Sequence, residues 1–268
     1  MASQYQGVLF TDIDGTWKRW SLFLEILYGL VDRGVLPRTV KLQVQLAENA
    51  WKARELSFGT FITQAIKIFE DRLPDIRFDD YQVTVAEVVE QSWHNVYRFT
   101  RALIEIKQKQ GWYVCAISAS PITAVEIFCK KWGINQCFGS TFVIGDDGRM
   151  ISQADIIDRE KKVACMQKVL AQPELQGIDE HYIWGCGDSG GDIPLLRAVN
   201  FPICINPASE LAVEAEINDW LVVMERKNVI SESVRGEQIL YRLVEGNEID
   251  MISRHPALTS VLRLARWE

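Results

Sequence analysis

Two carboxylates stand two residues apart in the segment DIDGT (residues 12–16), directly after a short apolar run. Carboxylates beside a buried strand are costly unless they are paired or bind a metal ion. A carboxylate can attack phosphorus to form an aspartyl-phosphate, and a second carboxyl group can protonate the leaving oxygen and later activate water. Asp12 and Asp14 are therefore candidates for this chemistry, with an ordinary Asp-Gly turn between a strand and a helix as the alternative.

A hydroxyl group and a lysine later in the chain are candidates for binding a phosphoryl group. Ser118 and Ala119 follow another apolar run, and a hydroxyl beside the exposed amides of a helix start makes a phosphate cradle. The alternative is a serine that caps a helix starting at a proline. Lys161 and Lys162 lie in a predicted helix, where a lysine either neutralises charge on a transferring phosphoryl group or faces solvent.

The segment GDSGGD (residues 187–192) carries Asp188 and Asp192 four residues apart in a glycine-rich turn. Their carboxylates can supply hard oxygen ligands, and Mg²⁺ is usually bound by few carboxylates together with water and substrate phosphate. The alternative is a loop in which an aspartate caps the next helix. The pattern predicts a magnesium site at this turn.

Three short apolar runs, over residues 7–11, 113–117 and 182–184, precede the candidate segments and predict the strands that position them. A fourth run covers residues 202–205 and predicts a further strand. Helical patterns that stop at a glycine or a proline lie between them, over residues 101–110, 122–132 and 158–172. This alternation predicts an α/β fold with a Rossmann-like, doubly wound parallel sheet, which binds ligands at the carboxyl ends of its strands.

Three regions depart from the alternation. Residues 20–97 have apolar positions at helical spacing, as in Leu42, Leu46 and Trp51, and predict a helical cap over the carboxyl edge of the sheet. Residues 142–151 hold the turn sequence GDDG and predict a β-hairpin. The last forty or so residues have an amphipathic pattern that predicts helix, and their apolar stretch would form an interface or pack on the core.

Composition narrows the class of protein and of partner. Of the 268 residues, 48% are hydrophobic and 24% charged, which is typical of a soluble protein with a substantial core. The net charge of −7 offers no basic excess for nucleic acid, and we interpret the segment WKRW (residues 17–20) as a site lip or an exposed turn. Six cysteines without CxxC spacing favour a reduced cytoplasm. We recognise no signal pattern and expect no stable membrane insertion.

The order of the four motifs resembles the haloacid dehalogenase superfamily over roughly residues 6–20 and 100–225. The sequence is most similar to the phosphoserine-phosphatase-like branch, which carries a helical cap between the first two motifs. The stretches ISASP (residues 117–121) and GDSGGDIPLL (residues 187–196) carry much of this likeness.

The resemblance implies a Mg²⁺-dependent phosphatase that hydrolyses a small phosphorylated metabolite through an aspartyl-phosphate intermediate. It implies a core domain of residues 1–19 and 98–268 and a helical cap domain of residues 20–97. A monomer or a homodimer is expected.

The same resemblance implies roles for individual residues. Asp12 would be the nucleophile, Asp14 the general acid/base, and Lys162 the cation that stabilises the aspartyl-phosphate; Lys162 fits the family pattern better than Lys161. Ser118, next to Ala119, would hold a phosphoryl oxygen. The metal ligands would all be aspartates at strand ends: Asp12, Asp14, Asp188 and Asp192. Asp14 would use its backbone carbonyl, and Asp192 would either bind Mg²⁺ or orient the other ligands.

The cap departs from the pattern of the phosphoserine phosphatases, which grip the amino acid with a glutamate and an arginine. The corresponding places hold Ser21 and a residue near Ala65, while Glu25 and Arg54 are out of register. We therefore do not expect phosphoserine to be the substrate.

Several alternatives stay open at this point. Trp17 and Trp20 form either an aromatic wall beside the phosphate or packing between cap and sheet. A phosphotransferase or mutase would share every core motif. Asp14 argues against a dehalogenase, because breaking a carbon–halogen bond requires no leaving-group proton. A non-catalytic phosphate-binding protein on the same fold is the fourth possibility.

Overall fold

The structure, a computed structural model, describes residues 4–227, 229–234, 237–243 and 249–251. Its strands are, in chain order, β1 (Val8–Thr11), β2 (Tyr113–Pro121), β3 (Gln136–Ser140), β4 (Phe142–Ile144), β5 (Met150–Gln153), β6 (Ile183–Gly187), β7 (Phe201–Ile205), β8 (Leu221–Arg226), β9 (Val229–Val234), β10 (Glu237–Leu243) and β11 (Ile249–Met251). Its α-helices are α1 (Leu22–Asp32), α2 (Arg38–Lys52), α3 (Phe58–Glu70), α4 (Phe78–Ser92), α5 (Arg98–Lys109), α6 (Ile122–Lys131), α7 (Arg159–Leu170), α8 (Ile193–Arg197) and α9 (Ser209–Ile217).

The main sheet has the strand order β11-β10-β9-β8-β7-β6-β1-β2-β3. The six neighbouring strands β3, β2, β1, β6, β7 and β8 pair in parallel. Strands β9, β10 and β11 continue the sheet with antiparallel pairing. The chain leaves β1 toward β2 and β3 and returns to the other side of β1 with β6. The predicted doubly wound α/β sheet is therefore confirmed, with its switch point beside β1.

Both faces of the parallel strands are buried, which explains why the strand sequences are continuously apolar. Leu9 of β1 and Val114 of β2 belong to the cluster on one face, with α1 to α6. Their neighbours Val8 and Phe10 belong to the cluster on the other face, with α7, α8 and α9. This two-sided packing fixes the strands, and hence the loops at their carboxyl ends.

Helices α1 to α4 fill the segment between β1 and α5, as the periodicity predicted. The buried face of α2 is formed by Val40, Val44 and Ala47. Leu42 and Leu46, which indicated the helical spacing in the sequence, are 59% and 71% exposed. The predicted helix is confirmed, and its buried face is the one that carries the valines.

The chain enters and leaves the four-helix segment through two paired stretches. The Arg19 N–H donates to the Asn95 carbonyl at 3.0 Å, and the Tyr97 N–H donates to the Trp17 carbonyl at 2.8 Å. Glu225 of β8 holds both stretches, since its Oε1 accepts from Arg19 at 2.7 Å and its Oε2 accepts from the Phe99 N–H at 3.0 Å.

Two predictions about the rest of the chain had opposite outcomes. The hairpin is confirmed, because β4 and β5 pair antiparallel around the GDDG turn. The helical prediction for the C-terminal region is wrong for its described part, which forms β9, β10 and β11. The three strands extend the sheet there, and this tertiary pairing outweighs the amphipathic pattern. The apolar stretch 258–267 lies outside the described residues.

Among the described residues, no helix combines the length and apolar character that crossing a bilayer requires.

Candidate active site

The candidate residues gather at one edge of the sheet because their strands are adjacent and parallel. Asp12 follows β1, Ser118 lies near the end of β2, and Asp188 follows β6. The Asp12 N–H donates to the Cys186 carbonyl at 3.0 Å, which ties the first and last of these segments together. The site thus occupies the position where open α/β sheets bind ligands.

Lys162 lies buried between two aspartates. Its Nζ donates to Asp12 Oδ1 at 2.7 Å and to Asp192 Oδ1 at 2.5 Å. The neighbouring Lys161 pairs with Asp155 in an exposed ion pair. Lys162 reaches the site because α7 starts at an Asp158 cap and turns Lys162 inward with Met166. Of the two lysines left open by the sequence, Lys162 is the one in contact with the candidate nucleophile.

Three aspartates come together around this lysine. Asp12, Asp188 and Asp192 place carboxylate oxygens within 4.8 Å of one another. If all three were ionised, Lys162 would neutralise one charge and leave two. Burial, followed by the nearby Asp12 and Asp192 carboxylates, raises the pKa of Asp188 well above its ordinary value. The cluster is thus short of positive charge.

Burial also dominates the titration of Asp12 and Lys162. It raises the pKa of Asp12 to about 7, although the Lys162 ammonium acts in the opposite direction. Burial by itself would lower the pKa of Lys162, but the Asp12 and Asp192 carboxylates more than reverse this and raise it. Lys162 is therefore held as a cation, while the aspartates around it carry more negative charge than it can balance.

The donor set fits Mg²⁺. It consists of hard carboxylate oxygens, and a divalent cation would balance the two charges that Lys162 leaves. Asp12 and Asp188 are better placed as direct ligands than Asp192. Both oxygens of Asp192 are already engaged, Oδ1 by Lys162 and Oδ2 by the Asp188 N–H at 3.2 Å and the Ser189 N–H at 3.0 Å.

The Asp14 carboxyl group turns away from the three-aspartate cluster. Its Oδ1 accepts from the Leu22 N–H at 2.7 Å, at the start of α1, and its Oδ2 accepts from the Ser120 hydroxyl. Burial raises the pKa of Asp14, against the lowering effect of these hydrogen bonds. The separation leaves only the backbone carbonyl of Asp14 for the metal role that the family resemblance implies.

Ser118 and Ala119 lie near the end of β2, at the cavity wall. The Ser118 side chain is almost fully buried, and its Oγ accepts from the Ser120 N–H at 3.0 Å, which leaves the hydroxyl hydrogen available to a ligand. Ala119 is exposed toward the cavity. Ser118 does not cap the following helix, since the N-cap of α6 is Pro121.

Sequence analysis missed three side chains that support the site. The Thr16 hydroxyl donates to Asp188 Oδ1 at 3.1 Å, the Ser120 hydroxyl donates to Asp14, and the Ser189 hydroxyl donates to Asp192 Oδ2 at 3.0 Å. Each belongs to a segment that had been singled out, so a signal existed. The signal was a hydroxyl residue within each motif, although the carboxylate that Thr16 and Ser120 bind lies in another motif.

The cap positions that the sequence singled out do not present a charged pair to the cavity. Ser21 lines the cavity and caps α1, whereas Ala65 is fully buried. Glu25 pairs with Lys18 at 2.8 Å, and Arg54 is exposed after the end of α2.

The two tryptophans after the first motif have different roles. Trp17 is fully buried and packs against Phe128 and Trp132, with ring centroids 4.8 and 5.5 Å away. Trp20 lines the cavity beside Trp51. The aromatic-wall hypothesis is thus wrong for Trp17 and fits Trp20. The exposed-turn interpretation of residues 17–20 is also wrong, since Trp17 and Lys18 are fully buried.

Gly15 offers a test of the Asp188 position. It has φ +84°, and a Cβ built there would overlap the Asp188 carboxylate. We expect Mg²⁺ to raise the melting temperature of the wild type. Gly15→Ala should displace Asp188, abolish that rise and lower turnover by about 100-fold or more. Thermal unfolding with and without Mg²⁺ measures the first effect.

Gly34→Ala is the matched control. Gly34 has a similar φ of +76°, but nothing lies within 4 Å of the Cβ position. Both variants carry the backbone penalty of about 1–2 kcal/mol for alanine in the left-handed region. A full Mg²⁺ response in Gly15→Ala would contradict the assignment of Asp188 as a ligand.

Comparison with known proteins agrees with this geometry. The sequence profile of the haloacid dehalogenase-like hydrolases matches residues 9–197. A histidinol-phosphatase of Neisseria meningitidis is 30% identical over 129 residues, which cover 46% of this chain and 56% of that protein. The chain therefore spans about half the length of the curated relatives it matches.

Solved structures show the same fold at low identity. A Bordetella pertussis protein of unknown function has a TM-score of 0.63 and 17% identity, covering 81% of this chain and 98% of its own. A phosphoserine phosphatase in its apo form has a TM-score of 0.59 and 15% identity, covering 82% and 94%. Since the family profile matches most of the chain, from β1 through α8, this protein belongs to the haloacid dehalogenase-like hydrolase family.

Proposed function

We propose that the protein is a Mg²⁺-dependent phosphatase that hydrolyses small phosphomonoesters through an aspartyl-phosphate on Asp12. The observation that carries the proposal is the buried contact of Asp12 with Lys162 beside Asp188. A nucleophile, a fixed cation and oxygen ligands for a divalent metal are what phosphoryl transfer requires. We also propose that residues 20–97 act as a cap over a core of residues 1–19 and 98–268.

The first step forms the covalent intermediate. Asp12 Oδ2 attacks phosphorus while Lys162 holds Oδ1, and the bond from phosphorus to the ester oxygen breaks. Asp14 gives its proton to the departing oxygen, and its raised pKa favours the protonated form that this role needs. Lys162 and the Ser118 hydroxyl bind phosphoryl oxygens.

The second step releases phosphate. The Asp14 carboxylate takes a proton from water, whose oxygen attacks the phosphorus of the aspartyl-phosphate. The bond between phosphorus and Asp12 Oδ2 breaks, so that the free carboxylate is restored and inorganic phosphate leaves. Mg²⁺, held by Asp12, Asp188 and the Asp14 carbonyl, with Asp192 orienting this set, would neutralise charge on the phosphoryl group.

Phosphate release from a panel of phosphomonoesters, with Mg²⁺ and with a chelator, tests the proposal. We expect release with Mg²⁺ and a loss of at least about 100-fold after chelation, because two buried negative charges then repel the substrate. Phosphoserine and histidinol phosphate, the latter suggested by the name of the Neisseria relative, belong in the panel.

The alternative functions predict other outcomes. Halide release from haloacids would support a dehalogenase, and transfer of the phosphoryl group to an added alcohol would support a phosphotransferase. Mg²⁺-independent binding of phosphate without turnover of any ester would support a binding protein and would contradict the proposal.

A further inference from the structure

The candidate site opens into a cavity of about 480 Å³ that extends from the catalytic carboxylates to the helices over them. The phosphoryl group would occupy the end beside Asp12 and Lys162. The remainder is the space for the part of the substrate that leaves. Its walls therefore determine which phosphomonoesters fit.

The wall opposite the carboxylates is apolar. Helices α1 to α3 contribute six lining residues, and none of the six is polar: Phe23, Trp51, Phe58, Ile62, Ile66 and Phe69. Three of these, at positions 58, 62 and 66, repeat every four residues and form one side of α3. Such a surface offers mainly apolar contact to a leaving group.

The apolar wall is fixed by its own packing. The Trp51 ring stacks on Phe61 with centroids 5.7 Å apart and an interplanar angle of 6°, and it contacts Trp20 at 6.2 Å. Phe23 packs edge-on against Phe69 at 5.5 Å. Large rings held by their neighbours keep the cavity formed, so a ligand spends little binding energy on ordering it.

The charged groups near the cavity are already engaged. Arg19 lines it, but its guanidinium is paired with Glu225 at 2.7 Å. A zwitterionic or charged leaving group that reaches the apolar wall would lose its water to hydrocarbon side chains, which is costly.

We propose that the site selects phosphomonoesters whose leaving group is an uncharged, apolar alkyl or aryl group. This specificity rests on the proposed phosphatase function and deepens it. Apolar surface gains about 25 cal/mol per Å² on leaving water, so each added methylene that reaches the wall strengthens transition-state binding. Amino-acid phosphates would gain much less.

A series of linear alkyl phosphates from ethyl to hexyl tests the proposal, because the leaving-group pKa hardly changes along it. We expect kcat/KM with Mg²⁺ to rise roughly threefold per methylene, or about 100-fold across the series. Phosphoserine, phosphocholine and histidinol phosphate should fall well below hexyl phosphate.

Variants on α3 locate the effect. Ile62→Gln and, independently, Ile66→Gln place an amide in the apolar wall and should lower kcat/KM for hexyl phosphate about tenfold, while changing ethyl phosphate less than about twofold. Lys67→Gln, an exposed position on the same helix, should leave the whole series unchanged.

The possible results separate this proposal from the phosphatase function. Phosphate release from every ester with no dependence on chain length would contradict the proposed specificity but would still support the phosphatase function. The same holds if phosphocholine or phosphoserine exceeds hexyl phosphate. No release from any ester with Mg²⁺ would overturn both.

Discussion

Asp12→Asn should remove phosphate release almost completely, by about 10⁴-fold or more in kcat, while the protein stays folded. The asparagine side chain has the same shape but lacks the charged oxygen that attacks phosphorus. The substitution also removes one of three clustered carboxylates whose burial is costly, since burial raises the pKa of Asp12 to about 7. Without Mg²⁺, the variant should therefore be at least as stable as the wild type. Phosphate release and thermal unfolding together measure both effects.

Asp155→Asn is the matched control for this substitution. Asp155 pairs with Lys161 on the surface. Lys161 is adjacent in α7 to Lys162, the lysine that contacts Asp12. Replacement of Asp155 should change neither turnover nor stability measurably.

Wild-type protein quenched in acid during turnover should carry a phosphoryl group on the peptide that contains Asp12. A residual rate in Asp12→Asn above about one hundredth of the wild-type rate would contradict the assignment of Asp12 as the nucleophile.

The positions of the candidate aspartates were predictable because they depend on local sequence. The sequence of a buried parallel strand is a continuous apolar run, and the residue after it lies at the carboxyl edge of the sheet. Asp12, Ser118 and Asp188 each follow such a run, and the structure brings all three to one edge. The choice between Lys161 and Lys162 needed the helix phase, which the Asp158 cap of α7 sets.

Features that depend on distant pairing were not predictable in the same way. The position of Lys18 after the first motif suggests an exposed side chain. In the structure it is buried, because Glu25 and Ser92, which are distant in sequence, accept its hydrogen bonds. Glu225 carries no motif, yet it holds the two stretches that lead into and out of the helical segment. The exposed Leu42 and Leu46 show the same limit, since helical spacing alone does not say which apolar stripe meets a neighbour.

Glu25→Gln should lower the free energy of unfolding by about 3 kcal/mol, because it leaves a buried ammonium without its carboxylate. Lys18 is fully buried, and its Nζ donates to Glu25 Oε1 at 2.8 Å and to the Ser92 carbonyl at 3.4 Å. The Ser92 hydroxyl completes the group by donating to Glu25 Oε2 at 2.6 Å. Urea denaturation of the wild type and the variant measures the difference.

The double variant Lys18→Met with Glu25→Leu separates pairing from packing. It removes both charges and keeps similar volumes, so it should recover stability to within about 1 kcal/mol of the wild type. Glu87→Gln breaks the exposed pair with Arg33 and should cost less than about 1 kcal/mol. If Glu25→Gln were as mild as Glu87→Gln, the Lys18 ammonium would not depend on Glu25. If the double variant were less stable than Glu25→Gln alone, the pair would instead contribute net stability, since an uncharged core of the same size could not replace it.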